Sequence, residues 1–415
     1  MKHRRTSAAV GGGLALVLSL AACGNGFSSG NKTGAPQSQS GPVTLNMIIA
    51  SSGDAETNAV TSAVKAWEAK TGNTVKITPS SDIQTDLAKS FASSSPADLM
   101  YIDAGTFATY ASQGALYPYA QTESFAGDVY PSLKQTFTYN GKYYCVPKDF
   151  STLGLIINTD MWKQAGLTNA DIPKTWDQLD AVAKKLTTSS HVGLSISPTR
   201  DRVGAFMVQS GGWLVNADGT QATADSTANV TALSYVKKLL DQGVMKWSSD
   251  LDTGWGGEAF GTGKAAMTIE GNWIDGAMKS DYPKVHYQVA PLPSGPAGSG
   301  TLLFTQCWGV SSKSPAQQQA IDLIKALTTG KQELSNAKAF GVMPALPSVK
   351  SQYQQQNPQD AAFITAAAQG KGPISLPGFA AVLSDFDSQL AGLAKADPTT
   401  ILASVQKNAL AALTK

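Results

Sequence analysis

Val43-Thr-Leu-Asn-Met-Ile-Ile-Ala50 is a short apolar run bounded by turn residues, and its reading decides the fold. Such a run reads as a buried strand. Ser51-Ser-Gly-Asp54 then makes a loop. Glu56 to Lys70 carries Val60, Val64 and Trp67 at helical spacing, with Gly72 as the helix stop. Thr74-Val-Lys-Ile-Thr78 alternates as a second strand, Asp82 to Ala92 is a second helix, and Asp98-Leu-Met-Tyr-Ile-Asp103 is a third strand. Strand–helix–strand–helix–strand predicts a parallel sheet flanked by helices.

The pattern continues toward the C-terminus. Tyr143-Tyr-Cys-Val-Pro147 and Leu153-Gly-Leu-Ile-Ile-Asn158 read as two strands, and Ala265 to Glu270 as another. Thr175-Trp-Asp-Gln178 is a capping box that opens a helix with Leu179, Val182 and Leu186 on one face. Ser314-Pro-Ala-Gln317 opens a helix through Ile321, Ile324 and Leu327 to Gly330. Asp397-Pro398 opens a closing helix through Ile401, Val405 and Leu413. There is no internal repeat, and 415 residues suit two α/β lobes.

Toward the N-terminus, Lys2, Arg4 and Arg5 precede an apolar stretch from Ala8 to Ala22, the layout of a secretory signal. The stretch is too short for a comfortable spanning helix. It ends Leu20-Ala-Ala-Cys23-Gly24, which resembles the lipobox of bacterial lipoproteins, with cleavage before Cys23 and lipidation of its thiol. Arg4-Arg5 lacks the following apolar pair that a twin-arginine signal would carry. Residues 24–42 are Gly, Ser, Asn, Gln and Pro with almost no apolar content, which predicts a flexible tether, with the folded body beginning near Val43.

Hydrophobic residues make up 42% and charged residues 15%, which excludes a disordered chain. Of the 32 basic residues, Lys2, Arg4 and Arg5 leave with the signal, and the balance against 30 acidic residues is then about −1. That offers no footprint for nucleic acid. His3, His191 and His286 are the only histidines, so a His-rich metal cage or a His base is disfavoured. Neither a metal site nor a cofactor is expected. Ser62-Ala-Val-Lys65 and Lys70-Thr-Gly72 match motifs of serine acyl enzymes, but here they share one helix, whereas in those enzymes they lie far apart in sequence. Asn216-Ala-Asp218-Gly219 reads as an ordinary turn rather than a calcium loop, since the later Glu is missing.

Carboxylates and indoles recur together. Asp149, Glu258 and Glu270 sit at loops or strand ends beside aromatics, and Trp213, Trp255, Trp273 and Trp308 stand next to Gly, Cys or carboxylates. Large rings with nearby carboxylates can meet both the C–H face and the hydroxyls of a sugar. Any single Trp is equally well explained by core packing. Two of the carboxylates could equally serve a glycosidase, whose two acids need a set separation that sequence does not give.

The chain resembles the family-1 extracellular solute-binding proteins, the sugar receptors of ABC-type importers. Gly141-Lys-Tyr-Tyr-Cys-Val-Pro-Lys-Asp-Phe-Ser-Thr-Leu-Gly-Leu-Ile-Ile-Asn-Thr-Asp160 is similar to the family's crossover segment, and Ile172-Pro-Lys-Thr-Trp-Asp-Gln-Leu179 to its P-x-T-W-x-x-L helix start. Gly261-Thr-Gly-Lys-Ala-Ala-Met-Thr-Ile-Glu-Gly-Asn-Trp273 resembles its G-x-A-A-M-x-x-x-G-x-W motif, and Gly309-Val-Ser-Ser-Lys-Ser314 its return strand.

The resemblance implies a two-lobe periplasmic-binding-protein-like fold, with a ligand cleft between the lobes and crossing hinge strands. Residues 1–22 would be the signal peptide and 23–42 the lipidated Cys23 and tether. Residues 43–146 plus 308–342 would form lobe one, and 150–305 plus 345–415 lobe two. It maps Trp273 to the stacking indole, Asp149, Phe150 and Ser151 to the cleft lining, and Ser52, Gly53 and Asp54 to polar contacts. Asp103 stands at the cleft edge, while Trp255, Glu258, Glu270 and Trp213 are further candidate ligand contacts.

The resemblance also places Cys145 and Cys307 on adjacent crossing strands, paired as a disulfide in an oxidising compartment; Cys145 departs from the small residue common there. The implied protein is a monomeric lipoprotein on the outer face of the cell membrane. It would bind an oligosaccharide and deliver it to membrane permease subunits without chemistry. An extracellular carbohydrate-active enzyme using Glu258 and Glu270 is the alternative, and the same fold holding a metal, polyamine or phosphate compound is a third.

Overall fold

The structure, a computed structural model, describes residues 34–50 and 54–414. The strands are β1 (Thr44–Ala50), β2 (Thr74–Ser80), β3 (Leu99–Asp103), the hairpin β4 (Thr138–Tyr139) and β5 (Lys142–Tyr143), β6 (Val146–Asn158), β7 (Val192–Ile196), β8 (Met245–Trp247), β9 (Ala265–Gly271), β10 (Tyr287–Ala290), β11 (Thr301–Val310) and β12 (Gly370–Lys371). Ten of them form one sheet along the path β2-β1-β3-β11-β6-β9-β7-β8, with β10 on β6 and β12 on β11. β1 pairs in parallel with β2 and β3, as the opening stretch predicts. A second parallel group, β9-β7-β8, lies at the other end. Between the two groups run β6 and β11, antiparallel to each other; β11 borders β3 and β6 borders β9.

Each parallel group carries its own core. In the first lobe, Val60, Val64 and Trp67 of the helix Asp54–Thr71 are buried among β1, β3 and the helix Gln317–Leu327. In the second, Trp176, Leu179 and Leu186 of the helix Trp176–Leu186 pack with β7, the helix Thr227–Asp241 and the closing helix Pro398–Leu413. Trp308 is core: it is 2% exposed and meets Tyr101 edge-on at 4.7 Å.

Several local expectations are altered. The strand expected over 153–158 begins earlier, as β6 from Val146, and takes in Val146 and Pro147 of the strand expected over 143–147, whose Tyr143 lies in β5 instead. All residues of β6 are buried, and Lys148 and Asp149 continue it because they pair with each other inside the protein. Gly330 does not end a helix but begins another, Gly330–Phe340, after a break at Thr328-Thr329. The helix expected from Ser314 starts at Gln317, because the Ser314 hydroxyl donates to Asp98 instead. Thr175 caps Gln178 N, but the Gln178 side chain accepts from Lys174 N, so only half of the capping box forms. Residues 37–39 dock on the helix Gln317–Leu327: Gln318 N donates to Gln37 O at 2.9 Å and Gln319 Nε2 to Gln39 O at 2.7 Å. Ordered contacts therefore begin before Val43. Ser62 Oγ donates to Asn58 O of its own helix, as serines within helices commonly do. Asn216 and Asp218 accept from Thr220 in a local turn.

Cys145 and Cys307 are joined by a disulfide with Cα atoms 5.6 Å apart. Cys307 lies on β11 opposite Pro147 of β6, and Cys145 immediately precedes β6. The bridge ties the crossing strands together where they leave the first lobe.

Candidate functional site

A cavity of about 380 Å³ lies between the lobes, within the range of roughly 300–1,000 Å³ typical of small-molecule sites. The first lobe reaches it through the carboxyl ends of its parallel strands: Ala50 at the end of β1, Ser80 at the end of β2 with Ser81 just beyond, and Asp103 at the end of β3 with Gly105 just beyond. Strand ends in open α/β sheets gather there because the crossover helices leave them uncovered. The crossing strands supply the floor: Lys148, Asp149 and Ser151 from β6, and Leu302 to Gln306 from β11. The second lobe adds Arg200, Asp201, Trp213, Trp273 and the segment from Lys371 to Ile374.

The floor depends on a bulge. Pairing of β11 with β6 steps from Gln306↔Asp149 to Cys307↔Pro147, so Lys148 is the extra residue. Strand neighbours normally face opposite sides, and the bulge lets both Lys148 and Asp149 reach the cavity. Lys148 Nζ bonds Asp149 and, at 3.1 Å, Glu56 from the first helix, and it lies 4.7 Å from the centre of the Tyr101 ring. Burial alone would lower the Lys148 pKa, but the charges of Asp149 and Glu56 raise it above its ordinary value. Burial raises the Asp149 pKa, with Lys148 pulling against it.

At the edge, Asp103 caps its helix by accepting from Gly105 N at 2.8 Å. Burial raises its pKa, and the Gly105 N–H opposes that shift. Asp201 and Arg200 of the other lobe act on it with opposite signs, so the two rims sense each other's charge. Arg200 pairs with Asp387.

The aromatic wall is built on glycines. Trp273 is half-buried, with its ring lying over Gly271; Phe304 of β11 meets it edge-on at 5.3 Å. Trp273 Nε1 donates to Glu270 Oε2 at 3.0 Å, and the Arg202 guanidinium sits 5.1 Å from the indole centre. Trp213 packs against Gly204 of the helix Arg200–Gln209.

The cavity thus gathers Trp273, Asp149, Ser151, Asp103 and Trp213 of the expected residues. Five others stand off its wall. Phe150 alternates to the far side of β6 and meets Tyr130 edge-on at 5.5 Å, because three consecutive strand residues cannot share one face. Glu270 has no exposure and points into the protein toward Arg202. Glu258 turns back to accept from Gly254 N at 2.7 Å, and Trp255 folds over Gly257 against the first core. Asp54 is exposed at the start of its helix. Ser52, Gly53 and Cys23 lie outside the described residues. Sequence reading passed over Lys148, whose signal was a charge between the apolar stretches that flank it, and Glu56, which looked like an ordinary acidic residue in a helix's first turn. It also passed over Arg200 and Arg202, whose signal was Arg200-Asp-Arg202 opening an apolar helix. Phe304 carried no signal beyond its strand. Among the described residues no cluster of three or more His, Cys, Asp or Glu could hold a metal, and no helix is long and apolar enough to cross a membrane.

Two α/β lobes, strands crossing between them and a cavity above the crossing make the architecture of a two-lobe binding protein. The chain belongs to the family described as bacterial extracellular solute-binding protein, whose profile matches residues 62–404. It is 27% identical over 385 residues to the diacetylchitobiose binding protein DasA of Streptomyces coelicolor, covering 89% of this chain and 88% of that one. A putative binding protein of Brucella abortus is 24% identical over 371 residues, with 85% and 89% covered. Among solved structures, the fold matches the ABC substrate-binding protein Lmo0181 of Listeria monocytogenes in complex with cycloalternan, with TM-score 0.80, 22% identity, and 89% and 98% covered. It also matches the GacH receptor of Streptomyces glaucescens, solved unliganded and with acarbose, with TM-score 0.79, 20% identity, and 90% and 99% covered.

Proposed function

We propose that this solute-binding protein captures an oligosaccharide in the interlobe cavity and delivers it, unaltered, to the permease of an ABC-type importer. The observation that carries the reading is the wall itself: the rings of Trp273, Trp213 and Phe304 stand beside Asp149, Asp103 and Ser151. Rings cover the C–H faces of a sugar while carboxylates and hydroxyls take its rim. Ser52 and Gly53, which follow the cavity-lining Ala50 in the chain, belong to the same reading. DasA is named for diacetylchitobiose, and Lmo0181 and GacH hold cycloalternan and acarbose, which supports the carbohydrate class. The lobes divide at the crossing strands, as 43–146 plus 308–342 and 150–305 plus 345–415, and close on the ligand by hinging. Cys23 carries the lipid that holds the monomeric receptor to the outer face of the membrane; more than one acyl chain makes such attachment stable.

Binding without turnover is favoured by the fate of the two carboxylates that a hydrolase would need: Glu270 is engaged by Arg202 and Trp273, and Glu258 by Gly254 N. The test is calorimetry against a panel of neutral oligosaccharides, followed by chromatography of the recovered glycan. A tight complex that returns the glycan intact is the expected result. Hydrolysis, or no binding across chitin-, maltose- and cellulose-type panels, would overturn the reading.

A further inference from the structure

We infer that Glu270 and Arg202 form a clamp that holds the indole of Trp273 facing the cavity, so that both act as positioning residues for ligand capture. This rests on the reading of Trp273 as a sugar-stacking ring. Glu270 is the penultimate residue of β9, has no solvent exposure and does not line the cavity. A carboxylate so placed requires hydrogen-bonded partners to offset its lost hydration. It has two, and both reach the same oxygen: Arg202 Nη2 at 2.5 Å and Trp273 Nε1 at 3.0 Å.

Arg202 is a partner to the indole as well. Its guanidinium carbon lies 5.1 Å from the ring centre, inside the distance at which a cation is attracted to an indole. Carboxylate, guanidinium and indole therefore close a triangle, each touching the other two. The two χ torsions of Trp273 are constrained from three sides: Gly271 beneath the ring, the Glu270 oxygen at its N–H, and Phe304 edge-on from β11. A ring held in its bound orientation loses less freedom when the ligand arrives, which is how preorganisation raises affinity. Glu270 itself never touches the ligand on this account.

The test is a double-mutant cycle read by calorimetry. Glu270→Gln removes the charge and weakens oligosaccharide binding by roughly fivefold or more, as coupled neighbours do. In a Trp273→Ala background the same change alters affinity by less than about twofold, because the ring it positions is gone. Equal losses in both backgrounds, or none in either, would overturn the clamp. Glu270→Gln/Arg202→Gln removes both charges together and leaves neither buried without its counterion, which keeps the comparison open if the single variant fails to fold. A sugar-free readout accompanies it. The indole N–H resonance of Trp273, assigned with Trp273→Phe, exchanges slowly in the wild type and faster in the double variant. An unchanged resonance and exchange rate would also refute the clamp. Failure of the wild type to bind any oligosaccharide would sink the ligand reading alone, and the indole resonance would still decide whether the clamp exists.

Discussion

Gly271→Ala tests the seat of the indole directly. A methyl built at Gly271 falls within 2.5 Å of Cε3 and Cη2 of Trp273, and nearer still to Cζ3. Carbon atoms settle at about 3.5–4.0 Å, so the ring must retreat by about 1 Å or more. The Nε1–Oε2 hydrogen bond, now 3.0 Å, would then stretch past the useful limit of about 3.2 Å. Overpacking of this kind typically costs about 1–3 kcal/mol of stability. The effect on affinity should be larger than that modest loss suggests. An aromatic hot spot carries about 2 kcal/mol or more, or roughly thirtyfold in Kd, and a displaced ring forfeits a large share of it. The expected result is binding weakened by about tenfold or more, with a cooperative melting transition retained. Adding Trp273→Phe to Gly271→Ala places a smaller ring above the methyl, so stability should recover while affinity stays low. Calorimetry for sugar and a denaturant titration for stability provide the two numbers. If Gly271→Ala binds and melts like the wild type, the indole does not sit where this account needs it.

Trp273→Ala should weaken oligosaccharide binding by about an order of magnitude or more while leaving the fold intact. Trp176→Ala, which removes a ring stacked on Tyr235 at 4.4 Å and bonded to Gln209, should instead lower stability by about 3–5 kcal/mol; a reversed pattern in paired titrations and melts would misplace the site. Replacing Cys145 and Cys307 together by Ser opens a loop closed across a sequence separation of 162, and denaturant unfolding should show a loss approaching about 5 kcal/mol; a change under about 1 kcal/mol would show that chain entropy in the unfolded state is not what the bond restrains. Burial and the neighbouring Asp275 push the Asp360 pKa up to about 8, while the Tyr353 hydroxyl donates to it. Its unfolded value is about 4, so the folded protein holds a proton that the unfolded chain releases. Stability from this group is full below about pH 4 and is lost as pH rises toward about 8, by at most about 1.4 kcal/mol per pH unit. Melting temperatures measured between pH 5 and 8 should fall less steeply in Asp360→Asn, and an unchanged slope would count against the buried acid.

Local chemistry was enough to read much of this protein. The apolar run from Val43 to Ala50, the spacing of Val60, Val64 and Trp67, and the caps at Asp82, Thr175 and Asp397 each act over a few residues. Their reading as α/β elements needs no knowledge of distant chain. The indole of Trp273 was legible because glycine and a strand end flank it within the same stretch. The rest depends on residues far apart in sequence. Lys148 stays charged inside the protein because Asp149 beside it and Glu56, 92 positions away, both reach its ammonium. Glu270 looked like a ligand or catalytic contact, and it became a buried partner because Arg202, 68 positions earlier, reaches it from another element. Phe150 looked equivalent to Asp149 and Ser151, but the pleat of β6 and the bulge at Lys148 sent it to the opposite face. Sequence by itself determines which side chains are present and the period at which they alternate. Which of two faces meets the cavity is set by strand register and by charges brought together across the crossing, and those exist only once the two lobes have folded against their shared strands.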